Sequence, residues 1–326
     1  MGVCLAAVAA CSTSPTPAPA PSSREVALGV FRGTEIPRVR AFGEWLGRQP
    51  DYVLDFPETG SWETILRSTR EKGDYWRGSG YRLVYSVPLL PDEAAPTMAK
   101  GADGTYDDRF TDIAQALVET GQSNAVIRLG WEFNIKNSRW KTDVPAEFIA
   151  FWQHVVSAMR AVPGNRFEFD WNPTNGYTAF SGEKYWPGGD YVDYVGIDVY
   201  DISWRNGSYP YPKGCDDDAC RLPRQQLAWD EIYNGERGLG FWTEFAADHG
   251  KPVSLPEWAM WTRTEDYNSG DDDPYFIDQM ADYIENPAHN VAYQIYFDFL
   301  ADNGPHRLQE DFPRGGARYR ERFGQP

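Results

Sequence analysis

Two glutamates in this sequence follow short apolar segments, and each lies beside a tryptophan. Glu132 comes shortly after the segment AVIRL and next to Trp131, while Glu257 follows the segment PVSLP and precedes Trp258. In a barrel of parallel strands, catalytic groups lie at the carboxyl ends of the strands. Hydrolysis of a glycosidic bond needs one protonated carboxyl group to release the leaving oxygen and one carboxylate to attack carbon or activate water. The matched pair therefore indicates glycoside hydrolysis.

Short apolar segments alternate with segments of helical spacing along the chain. Strands are predicted at residues 26–31, 52–56, 83–87, 125–129, 167–171, 194–199, 253–255 and 291–297. Helices are predicted near residues 39–46, 108–120, 145–159, 239–247 and 275–284, with a short one opening at 62–67. This alternation favours an α/β fold, a single (β/α)8 barrel over residues 24–326, without a second domain. The insert 201–224 is predicted to be a loop, and the basic tail from residue 314 to cap the barrel or fray.

Composition limits the classes of partner. The chain has 326 residues, of which 41% are apolar, and its net charge is −17. It is long enough for one large core, and its negative charge would repel nucleic acid. Aromatic residues make up 15% of the chain, including 13 Trp and 19 Tyr. They indicate either a large aromatic core or surfaces that stack on sugar rings.

The amino terminus is typical of an exported protein. Residues 1–11 form an apolar segment that is too short to span a bilayer and resembles the end of a secretion signal. The residues Val8-Ala9-Ala10-Cys11 resemble a bacterial lipobox, in which Cys11 would be lipidated after cleavage. Plain secretion is the alternative. Residues 12–23 are rich in Pro, Ser and Thr and predict an extended tether.

The remaining cysteines and the charged side chains give little indication of a metal or cofactor. Cys215 and Cys220 bracket a polar segment, which in an exported protein favours a small disulfide over a zinc site. The acidic runs 216–218 and 271–273 are expected to be solvated loops, with calcium binding as the alternative. No ligand spacing links the four histidines, which are His154, His249, His289 and His306. We therefore expect no metal and no cofactor.

Three segments resemble glycoside hydrolase family 26, which belongs to the large clan of retaining (β/α)8 enzymes. Residues 128–134 (RLGWEFN) resemble the family's Arg-x-x-His-Glu-x-Asn motif around the acid/base. Residues 185–200 (YWPGGDYVDYVGIDVY) resemble the family's YYPGDxYVDxVGxDxY segment. Residues 251–257 (KPVSLPE) resemble its nucleophile strand. The similarity covers most of the chain after the tether.

The resemblance implies a role for each matching residue. Glu132 would be the acid/base and Glu257 the nucleophile, and Tyr200 would orient the nucleophile through a hydrogen bond from its phenol. Arg128 and Asn134 would shape the site around the acid/base. An arginine inside a strand also needs a carboxylate partner, so a buried ion pair is the alternative for Arg128.

The chain departs from the family at positions that contact sugar. Trp131 replaces the family's histidine, residues 135–140 replace its Trp-rich segment, and residues 296–299 (YFDF) lack its strand-eight tryptophan. Candidate substrate contacts share a position near a predicted strand exit. They are Arg128, Trp131, Asn134, Trp140, Trp171, Asn172, Asp198, Trp258, Trp261, Tyr296 and Asp298, with Asn175, Tyr177 and Trp204 as further candidates. Packing beneath a loop is the alternative for each aromatic ring.

These observations predict a retaining endo-β-glycosidase that acts outside the cell on a polysaccharide. The resemblance makes β-mannan the first candidate substrate, and mixed-linkage glucan, xylan or a bacterial cell-wall polysaccharide are alternatives. Retention predicts carboxyl groups about 5–5.5 Å apart. A non-catalytic surface glycan-binding lipoprotein is the alternative from another class. We expect a monomer whose only link to a membrane is the possible lipid on Cys11.

Overall fold

The computed structural model describes residues 1–2, 26–176 and 180–324. Most of the predicted signal and lipobox segment, including Cys11, lies outside the described residues, as do the predicted tether and Tyr177. The predicted boundary at residue 24 therefore stays a prediction.

Parallel strands fill eight positions around a closed barrel, and the sixth position holds two short strands. They are β1 (Ala27–Phe31), β2 (Tyr52–Asp55), β3 (Arg82–Val87), β4 (Val126–Leu129), β5 (Glu168–Trp171), β6 (Tyr194–Gly196), β7 (Val199–Tyr200), β8 (Val253–Ala259) and β9 (Val291–Phe297). Pairing runs from β6 through β5, β4, β3, β2 and β1 to β9 and β8. Both β6 and β7 also pair with β8, which closes the sheet. The predicted (β/α)8 barrel is confirmed.

Helices surround the barrel. They are α1 (Ile36–Leu46), α2 (Trp62–Trp76), α3 (Met98–Ala102), α4 (Asp107–Glu119), α5 (Pro145–Arg160), α6 (Asp218–Asn234), α7 (Leu239–Asp248), α8 (Pro274–Glu285) and α9 (Pro313–Phe323). A small hairpin of β10 (Leu300–Ala301) and β11 (Gly304–Pro305) follows β9. Within the described part of the chain, no helix has the length and apolar character needed to cross a membrane.

Several segments contain more helix than the sequence predicts, including the whole of α3. α2 is a full helix rather than a short one, because the Ser61 side chain accepts from the Thr64 N–H and an apolar face continues to Trp76. The last part of the predicted loop 201–224 is helical, since α6 begins at residue 218. The basic tail, predicted to cap the barrel or fray, forms α9, and Tyr319 of this helix is buried against the barrel.

The acidic runs cap helices. Asp217 Oδ1 accepts from the Cys220 N–H at 2.9 Å at the start of α6, and the predicted disulfide between Cys215 and Cys220 closes this turn. Asp273 Oδ1 accepts from the first N–H groups of α8. These carboxylates satisfy helix donors that would otherwise lack partners. Among the described residues, no group of three or more His, Cys, Asp or Glu side chains is arranged to hold a metal ion.

Strand residues alternate between the inside of the barrel and the layer between strands and helices. An apolar group inside the barrel consists of Phe31, Leu54, Val84, Val126, Tyr293 and Ile295. The larger core lies between the strands and the helices. Arg128 follows Val126 by two positions, so it also faces inward and lies nearer the exit end of β4. The fold therefore directs an arginine towards the barrel mouth.

The exit half of β8 contains an irregularity. The three steps from Leu255 to Trp258 oppose only two steps along β9. This extra residue is a β-bulge, a feature that is common next to active sites. Ser254 and Glu257 lie an odd number of positions apart, yet both side chains make contacts inside the barrel. The bulge therefore allows Glu257 to face inward.

Candidate active site

A fully buried arginine lies beneath the barrel mouth. Arg128 forms ion pairs with two carboxylates, through Nη1 to Glu257 Oε1 and through Nη2 to Asp198 Oδ2. Its Nε donates to Asn172 Oδ1 at 2.6 Å, and Nη1 lies 3.2 Å from Ser86 Oγ. A buried charge needs such a complete set of partners. Arg128 thus forms the buried ion pair that the sequence analysis gave as an alternative. One of its partners, Glu257, is a candidate catalytic residue.

Glu257 on β8 has a donor at each carboxyl oxygen. Oε1 accepts from Arg128, and Oε2 accepts from the Tyr200 hydroxyl at 2.5 Å. Tyr200 ends β7, which pairs directly with β8, so strand pairing sets this contact. Burial and the nearby carboxylates raise the pKa of Tyr200 well above its ordinary value, and the phenol therefore keeps the proton that it donates. The two donors fix the orientation of the Glu257 carboxylate.

Glu132 lies in the turn after β4 and has different surroundings. Its φ of 47° is in the left-handed region, which residues other than glycine rarely adopt. Its N–H donates to the Asn172 carbonyl at 2.8 Å, which holds the turn against β5. Burial, and then the charge of Glu257, raise the pKa of Glu132 to about 7, while Arg128 and a hydrogen bond from Thr174 oppose this rise. A carboxyl group with this pKa retains a proton near neutral pH, as a general acid must.

Asp198 is a third carboxyl group beside the arginine. It accepts from Arg128 at Oδ2 and from Asn172 Nδ2 at Oδ1, the latter at 3.1 Å. Burial raises its pKa above the ordinary value for aspartate. One guanidinium thus lies near three carboxyl groups, and this excess of negative charge favours a shared proton. Glu132 is the member of the cluster without a direct contact to Arg128 in the described structure.

Both glutamates open into one cavity of about 710 Å³ at the barrel mouth. Its lining residues are Glu132, Ile135, Lys136, Thr174, Asn175, Tyr200, Ile202, Trp204, Glu257, Trp261, Arg263, Phe297, Ala301, Asn303 and His306. A larger surface cavity of about 1010 Å³ lies beside α9, but its lining contains one carboxyl residue, Glu321. Of these two cavities, therefore, only the one at the barrel mouth can support chemistry that needs two carboxyl groups.

Three aromatic residues that were predicted to contact substrate are fully buried between the strands and the surrounding helices. The prediction is wrong for these three residues. They are Trp171, Trp258 and Tyr296. Trp171 packs against α7, and both Trp258 and Tyr296 pack against α9. Alternation along a strand explains this placement, since Asp170 and Glu257 face inward and the residue that follows each must face outward.

Asp298 is also displaced from its predicted role. Its Oδ1 accepts from the Leu308 N–H at 2.7 Å, and its Oδ2 lies 3.0 Å from Arg32 Nε. The side chain is buried and lines none of the cavities described above. The prediction of a substrate contact is therefore wrong, because these internal contacts occupy the carboxylate.

Three further candidates, Trp131, Asn134 and Trp140, contact neighbouring residues of the site instead of lining the cavity. Trp140 Nε1 donates to the Trp131 carbonyl at 2.9 Å, and the Trp131 ring lies 5.7 Å from Arg128 Cζ. Asn134 is buried and exchanges two hydrogen bonds with the backbone of Thr174, at 2.9 and 3.2 Å. None of these three predicted contacts lines the cavity, whereas Trp261 does.

Sequence reasoning missed His306, which lines the cavity. Its Nδ1 lies 2.9 Å from the Met260 carbonyl, so this nitrogen carries the hydrogen. Burial lowers its pKa to about 4, which leaves the ring neutral at physiological pH. The ring packs against both Tyr200 and Trp261. No spacing in the sequence could have found it, because it lies just after the hairpin of β10 and β11, in a segment without a periodic pattern.

Comparisons with known proteins identify the fold. The chain matches no protein-family model and no curated protein. Among solved structures, it is similar to the catalytic domain of the Bacillus sp. JAMB-750 GH26 endo-β-1,4-mannanase, with 16% identity, a TM-score of 0.59 and coverage of 93% of this chain and 87% of that one. It is also similar to a modular endo-β-1,4-mannanase from Cellulomonas fimi, with 17% identity, a TM-score of 0.59 and coverage of 90% and 70%.

A third similarity extends beyond the mannanases. Fungal β-1,4-galactanases match with 11% identity and a TM-score of 0.55, over 90% of this chain and 99% of theirs. At such identities the likeness concerns the fold. The chain therefore has the (β/α)8 fold found in the family 26 glycoside hydrolases, as the sequence resemblance implied.

Proposed function

We propose that this protein is a retaining glycoside hydrolase that cleaves internal bonds of an extracellular polysaccharide. One observation carries the proposal. Glu132, in the turn after β4, and Glu257, on β8, face the same cavity. The pKa of Glu132 is raised to about 7, and Glu257 is held by an arginine and a tyrosine. Two carboxyl groups with contrasting surroundings are what double displacement needs.

In the first step, the Glu257 carboxylate attacks the anomeric carbon of the bound sugar. Glu132 donates its proton to the glycosidic oxygen as the bond to carbon breaks, so the leaving chain departs as an alcohol. The sugar is then linked to Glu257 as an ester. Tyr200 and Arg128 position the attacking oxygens throughout this step.

In the second step, the deprotonated Glu132 accepts a proton from water, and the water oxygen attacks the same carbon. The bond to Glu257 breaks and regenerates its carboxylate, while Glu132 is again protonated. Two inversions give net retention. The predicted separation of the carboxyl groups, about 5–5.5 Å, belongs to this proposal.

β-Mannan is the first candidate substrate, with the endo-β-1,4-mannanases reported above in support. Mixed-linkage glucan, xylan and a bacterial cell-wall polysaccharide stay as alternatives, and the galactanases add galactan. The substitutions at Trp131 and at residues 296–299 alter positions that contact sugar in the family, and for this reason the alternatives to β-mannan are kept in the panel.

The proposed location is outside the cytoplasm, where the protein acts as a monomer. The disulfide between Cys215 and Cys220 supports an oxidising compartment. Attachment to a membrane through lipidated Cys11 is a proposal from the sequence alone. Nucleic acid is not a proposed partner, because the chain carries a net charge of −17.

Release of reducing sugar from a panel of polysaccharides tests the proposal. The panel contains galactomannan, glucomannan, barley glucan, xylan, galactan and bacterial arabinogalactan, and wild type is compared with Glu257→Gln. We expect wild type to cleave at least one of them and the variant to release no sugar. If wild type releases nothing while both proteins bind a polysaccharide, the non-catalytic binding protein replaces the enzyme.

A further inference from the structure

An exposed tryptophan stands at the edge of the cavity in a fixed position. Trp204 is 58% exposed. Its N–H donates to Glu231 Oε2 at 3.1 Å, and its indole Nε1 donates to Asp266 Oδ2 at 3.2 Å. These two hydrogen bonds fix the position of the ring, while its apolar surface stays available for contact with a ligand.

A stack of side chains supports the Trp204 ring. The Arg263 guanidinium carbon lies 5.3 Å from the centroid of Trp204 and 4.6 Å from that of Trp261. Asp266 fixes this arginine, with Oδ1 2.7 Å from Nε and Oδ2 3.3 Å from Nη2. The Trp261 ring in turn lies 5.5 Å from the ring of Tyr200. A series of ring–cation contacts and one ring–ring contact therefore connects Trp204 to the candidate catalytic centre.

Trp204 also lies where two cavities meet. A second cavity of about 480 Å³ is lined by Trp204 and shares Thr174, Asn175, Tyr200 and Ile202 with the first. Neither Glu132 nor Glu257 lines the second cavity. The cleft thus continues past the candidate catalytic centre.

A polar atom at the same junction lacks a partner. Asn175 Nδ2 donates to the Ile232 carbonyl at 3.2 Å, but its Oδ1 is buried without a hydrogen bond among the residues that the structure describes. Buried acceptors normally have a donor. A hydroxyl group of a ligand that spans both cavities would supply one.

We infer that Trp204 is a sugar-stacking platform for a unit of the substrate chain outside the bond that is cleaved. Arg263 covers one face of the indole, so the exposed part of the ring is available to the apolar face of a pyranose. Asn175 would accept a hydrogen bond from a hydroxyl group of the same chain. This inference rests on the proposed function and adds to it, because it places a further unit of the substrate chain beyond the bond that is cleaved.

Affinity electrophoresis through gels that contain the panel polysaccharides tests the platform without requiring turnover. The parent protein is Glu257→Gln, and the variants add Trp204→Ala, Trp204→Phe or Phe241→Ala. Phe241 is a matched control, since it is 37% exposed on the outer helix α7. Circular dichroism verifies that each variant is folded.

We expect at least one polysaccharide to retard the parent and the Phe241→Ala control, and Trp204→Ala to bind about 10-fold or more weakly. Trp204→Phe should keep part of the binding, since it keeps a flat apolar ring. Equal retardation of Trp204→Ala and the parent would overturn the inference, as would a parent that no polysaccharide retards.

Failure of the Trp204 platform and failure of the proposed hydrolase function give different results. Sugar release by wild type together with unchanged binding by Trp204→Ala contradicts the platform and leaves the hydrolase. Loss of retardation in Trp204→Ala without sugar release by wild type contradicts the hydrolase and leaves the platform.

Discussion

Two groups of carboxyl side chains in this barrel contain members with raised pKa values but have different surroundings. The first is the mouth cluster, defined as Glu132, Asp198 and Glu257. The second is the carboxyl pair, defined as Asp201 and Asp273, which follow shortly after β7 and immediately before α8. Burial raises the pKa of members of both groups, to about 7 for Glu132 and also for Asp273.

The carboxyl pair is closed and structural. The Tyr209 hydroxyl lies 2.9 Å from Asp201 Oδ1 and 3.3 Å from Asp273 Oδ2. Asp273 Oδ1 accepts from the Tyr275 and Phe276 N–H groups at 2.8 and 3.1 Å. Neither aspartate forms an ion pair within the described part of the chain, and neither lines the cavity at the mouth or the one beside it.

The comparison shows that a raised pKa alone does not identify an active site. The mouth cluster differs from the carboxyl pair because it contains a buried arginine and opens into a cavity. The arginine lets one carboxylate stay charged beside a protonated neighbour, and the cavity gives both of them access to a substrate. The five predictions below test this contrast, from the largest expected effect to the smallest.

Substitution in the mouth cluster should abolish turnover, whereas substitution in the carboxyl pair should not. We expect Glu257→Gln to lower kcat by about 10³-fold or more, since an amide cannot form the covalent intermediate. Asp201→Asn is the matched control and should stay within about threefold of wild type. Initial rates on the polysaccharide that wild type cleaves measure both. Equal losses in the two variants would contradict the distinction.

Removal of the arginine should destabilise the mouth cluster. Arg128→Ala leaves two carboxylates without their cation, and we expect the free energy of unfolding to fall by about 3–5 kcal/mol. Urea denaturation followed by circular dichroism measures this change. Arg205→Ala, which removes an exposed ion pair with Asp230, should cost about 1 kcal/mol or less. If Arg128→Ala loses as little stability as this control, the claim that Arg128 stabilises the mouth cluster is wrong.

The tyrosine that contacts Glu257 should affect turnover more than stability. Tyr200→Phe removes the 2.5 Å hydrogen bond but keeps the ring, so we expect kcat to fall by about 10–100-fold. Steady-state kinetics measure the change, and thermal unfolding verifies that the fold is intact. An unchanged kcat would show that Arg128 alone positions the carboxylate.

The pH dependence of activity should report the proton on Glu132. With a pKa of about 7, Glu132 is protonated below that pH and loses its proton above it. We therefore expect kcat/KM for a polysaccharide to fall about 10-fold per pH unit on the alkaline side. In Glu132→Gln, this alkaline limb should disappear for a 2,4-dinitrophenyl glycoside, whose leaving group needs no acid. Persistence of the limb in that variant would assign it to another group.

The carboxyl pair should instead affect stability. The folded-state pKa of Asp273 is raised from 3.8 to about 7, so the native protein holds a proton that the unfolded chain releases over this range. The stabilising contribution of this bound proton is complete below pH 3.8 and is lost as pH rises through about 7. Asp201→Asn removes one titrating carboxyl group. We expect it to raise the free energy of unfolding by about 1 kcal/mol near pH 8 and to give no gain near pH 4. Calorimetry at both pH values measures this, and a gain independent of pH would show that the titration of the carboxyl pair does not cause it.

Much of the barrel fold was predictable from the sequence, because apolar strands and helices with periodic apolar residues leave clear patterns. The same patterns placed Glu132 and Glu257 at strand exits, and the resemblance added Tyr200 and Arg128, which the structure brings into contact with Glu257. Strict alternation would also have excluded Trp171, since Arg128 faces inward and pairs in register with Asp170 on the next strand.

Other features could not be predicted, for physical reasons. The bulge in β8 adds one residue between Leu255 and Trp258, and no propensity marks its position. His306 and Arg263 come from irregular segments after β9 and β8, whose paths depend on tertiary packing. Helix α6 begins inside a polar insert, where a capping Asp217 and a disulfide set its start more than any apolar period does.

The stereochemistry of the first product tests the central claim most directly. Proton NMR of the anomeric signals during early hydrolysis by wild type distinguishes the two outcomes before mutarotation mixes them. If Glu257 is a nucleophile and Glu132 its acid/base partner, the β-anomer of the new reducing end forms first. Initial release of the α-anomer would mean single displacement by water and would contradict the assignment of Glu257.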